Sequence, residues 1–474
     1  MTSINEDSSS DNERKVSYIL NLLGKKVPTS KENDDNDDKD EDYEDIMTDE
    51  DIYTLDSLQQ LIASVYNSKS RFNPELNSRD EYTSQTTDTQ YETELSILES
   101  FKDHPNEQFL QQQHLKYIKG SLHSQFPSYF SALDANHSWM LLWLLNGFKV
   151  IKQNDQSLSP ETIELINNKI ESCIIDEGRG GISGGANQIG HVASTYAAIL
   201  TLILTKNYTL LEKLRNNLYS WFLSLKKPDG SFVMHKNGES DARSIYCVLA
   251  VSSLLNTLTD ELLLGLESWL NSCQTFEGGF SGVPKTEAHG GYTYCAVASY
   301  FILFSKKSKI CFDLDALIRW SVFRQYSIEG GLSGRTNKLV DACYSFWIGA
   351  LYPMIEVLVG EHDMFNRDGL KTYILKAAQN FDKGGFRDKP GKSTDFYHTN
   401  YTLCGLSLCE YKYKSFSDDD SEEELAYRFQ LDNDNDNGND SDYKNTNPIN
   451  PIFGLPINDI NEAKKHFIKL SKPI

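Results

Sequence analysis

The stretch Glu277-Gly278-Gly279-Phe280-Ser281-Gly282, followed by the apolar run Tyr294-Cys295-Ala296-Val297-Ala298-Ser299-Tyr300-Phe301-Ile302-Leu303, is one copy of a pattern that recurs along this chain. The turn returns as Gly180-Gly181-Ile182-Ser183-Gly184, Pro228-Asp229-Gly230-Ser231-Phe232, Glu329-Gly330-Gly331-Leu332-Ser333-Gly334 and Lys383-Gly384-Gly385-Phe386. Counted on the last glycine of each pair, the copies stand at 181, 230, 279, 331 and 385, which is 49 to 54 residues apart. A tyrosine follows each turn by 13 to 16 residues, at Tyr196, Tyr246, Tyr294, Tyr344 and Tyr401. Each lies in a small apolar segment with helical spacing. A second apolar helix precedes the next turn, as over 261–272 and 314–323.

The segment 114–151 lacks the glycine pair but offers two helices flanking 126–136, ending in Ser138-Trp139-Met140-Leu141-Leu142-Trp143. It counts as a sixth, degenerate unit. Units that each expose an apolar face must stack to bury it. The pattern therefore predicts an all-α chain of about six helical hairpins. A closed ring and an open solenoid fit the spacing equally.

The chain has 474 residues and a formal charge of −22. Two stretches carry that excess: 32–51 holds 13 acids and one base, and 418–442 holds 11 acids and one base. The rest is balanced, so this is not a globally acidic protein. Both stretches are poor in apolar residues and read as disordered. The expected organisation is an acidic tail over 1–60, a helical domain over 61–416 and 446–474 with peripheral segments, and an acidic insertion over 417–445. A solubilising role for the acidic stretches is favoured over an interaction tail. Eight cysteines are scattered without a secretory leader ahead of them, and no apolar run reaches the roughly 18 residues of a membrane helix. A cytoplasmic, reducing setting is expected, with thiols buried or serving as ligands.

The most informative stretch is Gly334-Arg335-Thr336-Asn337-Lys338-Leu339-Val340-Asp341-Ala342-Cys343-Tyr344-Ser345-Phe346-Trp347. Asp341 and Cys343 are two apart and would not share a face inside a helix. To bind one ion, Asp341 must lie just outside the helix, which would set Cys343 near a helix N-terminus and favour its thiolate. The plainer reading is an N-cap aspartate and a buried small residue. One repeat later, Asp395-Phe396-Tyr397-His398 places His398 at the matching phase. Three protein ligands with an open fourth position describe a catalytic zinc rather than a structural one.

A cationic set, Arg243, His289, Arg335 and Lys338, falls at the same phase and suggests an anion such as a diphosphate. Arg335 and Lys338 are three apart and can converge; Arg243 could instead simply pair with Asp241. No P-loop is present, which excludes nucleotide binding of that type, and nothing suggests nucleic acid. Aromatics gather at these phases too: Trp139, Trp143, Tyr246, Tyr292, Tyr294, Tyr344, Trp347 and Tyr397. They read as the lining of a cavity for an apolar ligand, or as core.

Three long stretches in order, Glu287-Ala288-His289-Gly290-Gly291-Tyr292-Thr293, Asn337 through Trp347, and Asp388-Lys389-Pro390-Gly391-Lys392-Ser393-Thr394-Asp395-Phe396-Tyr397-His398-Thr399, resemble the β subunits of the protein prenyltransferases, above all the farnesyl kind. The resemblance covers about 110–410. It implies an α/α barrel (toroid) of six hairpins, an obligate heterodimer with a helical α subunit, and transfer of farnesyl from farnesyl diphosphate to C-terminal C-a-a-X cysteines of proteins such as Ras-like GTPases. By position it implies that Asp341, Cys343 and His398 hold one Zn²⁺, and that His289, Arg335, Lys338 and Tyr344 bind diphosphate. It assigns Arg243, Tyr246, Gly291, Tyr292, Cys295 and Trp347 to the isoprenoid, and Trp139, Trp143, Tyr397 and Tyr401 to the peptide and chain-length pocket. Asp388 is implied in the use of Mg²⁺ with the diphosphate. Trp139 and Tyr401 would shorten the cavity to suit fifteen carbons; a geranylgeranyl type I β subunit, the nearest alternative, carries smaller residues there. A terpene cyclase would need an Asp-rich motif inside the barrel, and Asp418-Asp419-Asp420 lies in the acidic insertion instead. A non-catalytic repeat scaffold explains the periodicity but not the shared phase of ligand-type residues.

Overall fold

The computed structural model describes residues 84–125, 128–154, 157–304, 311–361, 363–414, 424–432 and 444–473. The acidic tail expected over 1–60 lies outside them. The described residues belong to one unit, Ser78–Ile474.

After a leading helix α1 (Gln85–Asp103), outer and inner helices alternate. The pairs are α2 (Gln111–His123) with α3 (His137–Val150), α4 (Pro160–Glu171) with α5 (Val192–Leu204), and α6 (Tyr208–Ser224) with α7 (Ala242–Leu254). Next come α8 (Asp260–Leu263) and α9 (Leu266–Asn271) with α10 (Gly290–Leu303), then α11 (Leu314–Val322) with α12 (Tyr344–Trp347) and α13 (Leu351–Val359). Last are α14 (Arg367–Tyr373), continued by a π-helical turn Ile374–Ala378, with α15 (Phe396–Glu410), and a closing helix α16 (Ile457–Phe467). The two layers differ as their sequences require. Inner α5 is apolar all round and buries 12 of its 13 residues, whereas outer α11 is amphipathic and buries one stripe through Leu317, Ile318 and Trp320. Four of the outer helices start on side-chain caps: Ser159 with Pro160 at the first helical position of α4, Asn207 for α6, Asp313 for α11 and Asn366 for α14.

The ring closes. Inner helices pack in the cycle α3–α5–α7–α10–α12–α15, and α15 returns to α3. One backbone bond recurs around it: His137 N to Gly184 O, Val192 N to Met234 O, Ala242 N to Gly282 O, Gly290 N to Gly334 O and Ala342 N to Asp388 O, each between 2.8 and 3.0 Å. Five of the six inner helices thus use an otherwise orphan amide at their heads to grip the loop of the next repeat. That fixes the starts of all these helices on one rim. The repeat signalled the units; the return of α15 onto α3 decides that they make a toroid rather than a solenoid.

Two departures from the sequence reading have local causes. The helix expected over 261–272 is broken at Gly265 (φ +81°), because the turn of the previous hairpin packs there. A Cβ on Gly230 would sit 2.4 Å from the Gly265 carbonyl carbon. The expected acidic insertion 417–445 is interrupted: described residues 424–432 are packed, with Leu425, Ala426, Tyr427 and Phe429 buried. Those apolar side chains sit among the acids and dock beside Tyr413, Phe453 and Phe301. The parts 417–423 and 433–443 lie outside the described residues.

Gly230→Ala must force both a positive φ (+94°) and that backbone clash. It should destabilise the protein by about 2–4 kcal/mol, read as a lower unfolding temperature. An unchanged midpoint would reject this account of the turn.

Candidate functional site

The inner-helix rim is built from caps. His191 accepts from Ala193 N, Asp241 from Arg243 N, His289 from Gly291 N and Asp341 from Cys343 N, each two residues on, while Asp395 accepts from His398 N. Capping forces a polar side chain at the head of each inner helix. The ring then turns these heads toward one opening, which explains why ligand-type residues share a phase in the sequence.

On one side of the rim Asp341, Cys343 and His398 converge, with one ligand atom from each lying within 4.8 Å of the others. His398 Nε2 is 3.2 Å from Asp341 Oδ1, and His398 Nδ1 is 2.7 Å from Asp395 Oδ2. Asp341 is therefore both a cap and a member of the trio. Burial alone would depress His398, but its bonds to Asp341 and Asp395 hold it up at about 10. The Cys343 thiol was expected to favour its thiolate at a helix N-terminus. In the structure its helix is one turn long and the thiol is buried, so desolvation and the Asp341 carboxylate push it well up. Burial also raises Asp388, with Asp341 adding to it. Asp388 pairs with Lys389, and its carbonyl accepts from Ala342 N. A half-buried carboxylate, a buried thiol and a half-buried imidazole, with a second carboxylate on the far ring nitrogen, form a donor set suited to a divalent metal.

Beside the trio a cavity of about 560 Å³ opens into the ring. Trp139, Trp143, Arg243, Tyr246, His289, Gly291, Tyr292, Cys295, Arg335, Tyr344, Trp347, Tyr397 and Tyr401 all line it. A closed circuit of rings surrounds it, with centroids 4.4 to 5.8 Å apart: Trp143, Trp139, Tyr196, Tyr246, Tyr294, Trp347, Tyr401, Tyr397 and back to Trp143, all but the buried Tyr294 lining the cavity. The Tyr397 hydroxyl joins cavity to trio, accepting from Trp347 Nε1 at 2.9 Å beside the Cys343 thiol. Gly334 is needed here, since a Cβ would fall 1.9 Å from the Tyr344 ring.

The cationic set is more neutral than its composition. Arg243 is bound to Asp241 at 2.6 Å and lies over the Tyr292 ring; Arg335 is bound to Glu287 at 2.9 Å. Burial and the nearby Arg335 lower His289, leaving it neutral at pH 7. Its Nδ1 accepts from Gly291 N, so the proton sits on Nε2, 3.1 Å from the Tyr344 hydroxyl. It is a hydrogen-bond donor rather than a cation. Lys338 is exposed and does not line the cavity, so it does not converge with Arg335 there. Sequence reasoning passed over His191, Tyr196, Met234, Glu239 and Cys247, which also line it. The phase of His191, matching His289, and of Tyr196, matching Tyr246, was the available signal.

The family of prenyltransferase alpha-alpha toroid domains matches residues 109–455. The protein farnesyltransferase β subunit of Schizosaccharomyces pombe is 40% identical over 342 residues, covering 70% of this chain and 86% of that one. This chain belongs to the protein farnesyltransferase β-subunit family. The Saccharomyces cerevisiae member is 38% identical over 394 residues, covering 82% of this chain and 88% of its own. Among solved structures, the Candida albicans protein geranylgeranyltransferase-I complexed with GGPP shares the fold, with a TM-score of 0.62 at 22% identity over 77% of this chain and all of that one. The family's toroid is the ring described above, and this chain is a prenyltransferase subunit. Among the described residues, no helix is long and apolar enough to cross a membrane.

Asp395→Asn keeps the α15 cap but removes the charge behind His398. Divalent-metal affinity should fall about 10- to 100-fold, measured by metal retention against a chelator. Unchanged retention would detach Asp395 from the metal centre.

Proposed function

We propose that this chain is the catalytic β subunit of a zinc-dependent protein farnesyltransferase, moving farnesyl from farnesyl diphosphate to the cysteine of C-terminal C-a-a-X proteins. The observation that carries it is the meeting of Asp341, Cys343 and His398 beside an aromatic-walled cavity. Asp341, Cys343 and His398 would hold the zinc, with Asp395 orienting the imidazole. Bound zinc supplies the charge that keeps an incoming thiol as thiolate at neutral pH, where a free thiol of pKa near 8.5 is mostly protonated.

The chain's own groups do the rest. The aromatic circuit takes the isoprenoid and excludes water from its first carbon. The reaction forms a bond from the substrate sulfur to that carbon and breaks the bond from that carbon to the diphosphate oxygen. Charge building on the departing diphosphate meets donors from His289 Nε2, Tyr344 and the guanidinium of Arg335, which exchanges Glu287 for the anion. Lys338 reaches the same anion from outside the cavity. Asp388 releases Lys389 to assist Mg²⁺ at the diphosphate. An α subunit completes the diphosphate site, so this chain alone is inactive. The catalytic unit runs from α1 to α16 and includes the packed residues 424–432.

Farnesyl is favoured over geranylgeranyl because Trp139, stacked on Trp143 and tilted against Tyr196, fills cavity space that a twenty-carbon chain needs. Trp139→Thr should admit geranylgeranyl diphosphate in a donor-competition assay on the heterodimer. An unchanged donor preference would count against the pocket assignment. Cys343→Ala should lose zinc and turnover while still binding farnesyl diphosphate. Equal zinc content in variant and wild type would refute the ligand assignment and favour a scaffold.

A further inference from the structure

Of the three side chains that meet on one side of the rim, Cys343 alone brings sulfur. That sulfur is buried. Two side chains bond to it, Asp341 and Tyr397. An ionised carboxylate can only accept, so Asp341 suits the protonated thiol and opposes the thiolate. Once the sulfur gives up its proton to bind a metal, Tyr397 is the partner with a proton to offer.

The surroundings of Tyr397 decide where that proton goes. A phenol has one proton, and an indole N–H can only donate. Trp347 Nε1 donates to the Tyr397 oxygen at 2.9 Å, which leaves the Tyr397 proton for another acceptor. Trp143, Tyr401 and His398 all pack on the Tyr397 ring in T-shaped contacts. Ring faces are weak acceptors, and the His398 nitrogens are already bonded to Asp341 and Asp395. The Cys343 sulfur is the acceptor bonded to this hydroxyl, and its burial makes the bond count for more than it would in water.

We propose that Tyr397 is a positioning residue for the metal centre: its hydroxyl, turned by Trp347, donates to the metal-bound Cys343 thiolate. The inference rests on the metal-ligand reading above, and it gives Tyr397 a task apart from lining the cavity. Two partners then tune two ligands in opposite senses. Asp395 behind His398 raises the basicity of that ring, while Tyr397 draws charge off the sulfur. A ligand sulfur that gives less charge leaves more of the cation's charge for an incoming thiol.

The test uses the full chain co-expressed with its α subunit and loaded with Co²⁺, whose sulfur-to-metal absorption band reports on the ligand sulfur. With no peptide substrate present, Cys343 supplies the one sulfur of the trio, so the band belongs to it. Tyr397→Phe keeps the ring and removes the proton. Trp347→Phe keeps Tyr397 but removes the bond that turns it, and it decides the matter should the first variant fail to fold. A thiolate without a donor holds its electrons less tightly. In Tyr397→Phe the band should therefore move to longer wavelength, and Co²⁺ should be lost to a chelator about tenfold more readily. Trp347→Phe should move the band the same way by less. A role in packing alone would release metal and leave the band in place; that result, or a shift to shorter wavelength, would overturn the proposal. A wild-type complex that takes up no Co²⁺, or takes it up with no sulfur band, would overturn the ligand assignment of Cys343 and this inference with it.

Discussion

Five of the six inner helices begin with a backbone amide that no turn of their own helix can satisfy, and the chain spends that amide on the next repeat. The bonds from His137, Val192, Ala242, Gly290 and Ala342 to carbonyls of the following hairpin bring the helix heads to one rim. Everything polar in the site follows from that. A helix head needs an acceptor side chain, so His191, Asp241, His289, Asp341 and Asp395 are there first as caps. Closure then makes a set of separate caps into one site.

The plain and the functional readings of Asp341 are accordingly both true. Its carboxylate accepts from Cys343 N and also faces His398. Capping fixes the carboxylate beside a backbone turn, and the turn fixes the thiol two residues on. A regular helix could not bring positions 341 and 343 to one point, but a cap followed by a single helical turn can. In the chain by itself His398 answers the crowding by holding a proton between Asp341 and Asp395. A divalent cation does the same work with more charge, and it would also draw Cys343 out of its protonated, buried state.

How much of this was readable in advance depends on the range of the interaction. The hairpins, their turns and the convergence of Asp341, Cys343 and His398 were legible because each rests on contacts within one repeat or on a shared phase. The closing contact of α15 on α3 was not legible in the spacing, since nothing local distinguishes a ring from a solenoid, and the ring was expected from the family resemblance alone. Charge states were misread for a related reason. His289 looked cationic in sequence, but Arg335 stands beside it and burial keeps it neutral. Arg335 looked free but is held by Glu287, whereas pairing of Arg243 with Asp241 was the plainer reading of the sequence and is what the structure shows. The packed residues around Tyr427 were hidden by counting acids over a window, when four apolar side chains within it decide where it goes.

The two ends of the cavity are made by different physics. At the rim, chemistry depends on caps that must be right in each repeat, so a change there disturbs a helix head and a ligand together. At the deep end, Tyr246 and Tyr294 reach a carbonyl more than 150 residues away in the chain. That carbonyl, of Ile452, sits in a loop that is also tied within itself, where Asn450 N donates to Leu455 O and Ile452 N to Asn450 Oδ1. Rim and far end are thus held by different contacts: caps repeated along the chain at one, bonds between the ring and a single loop at the other.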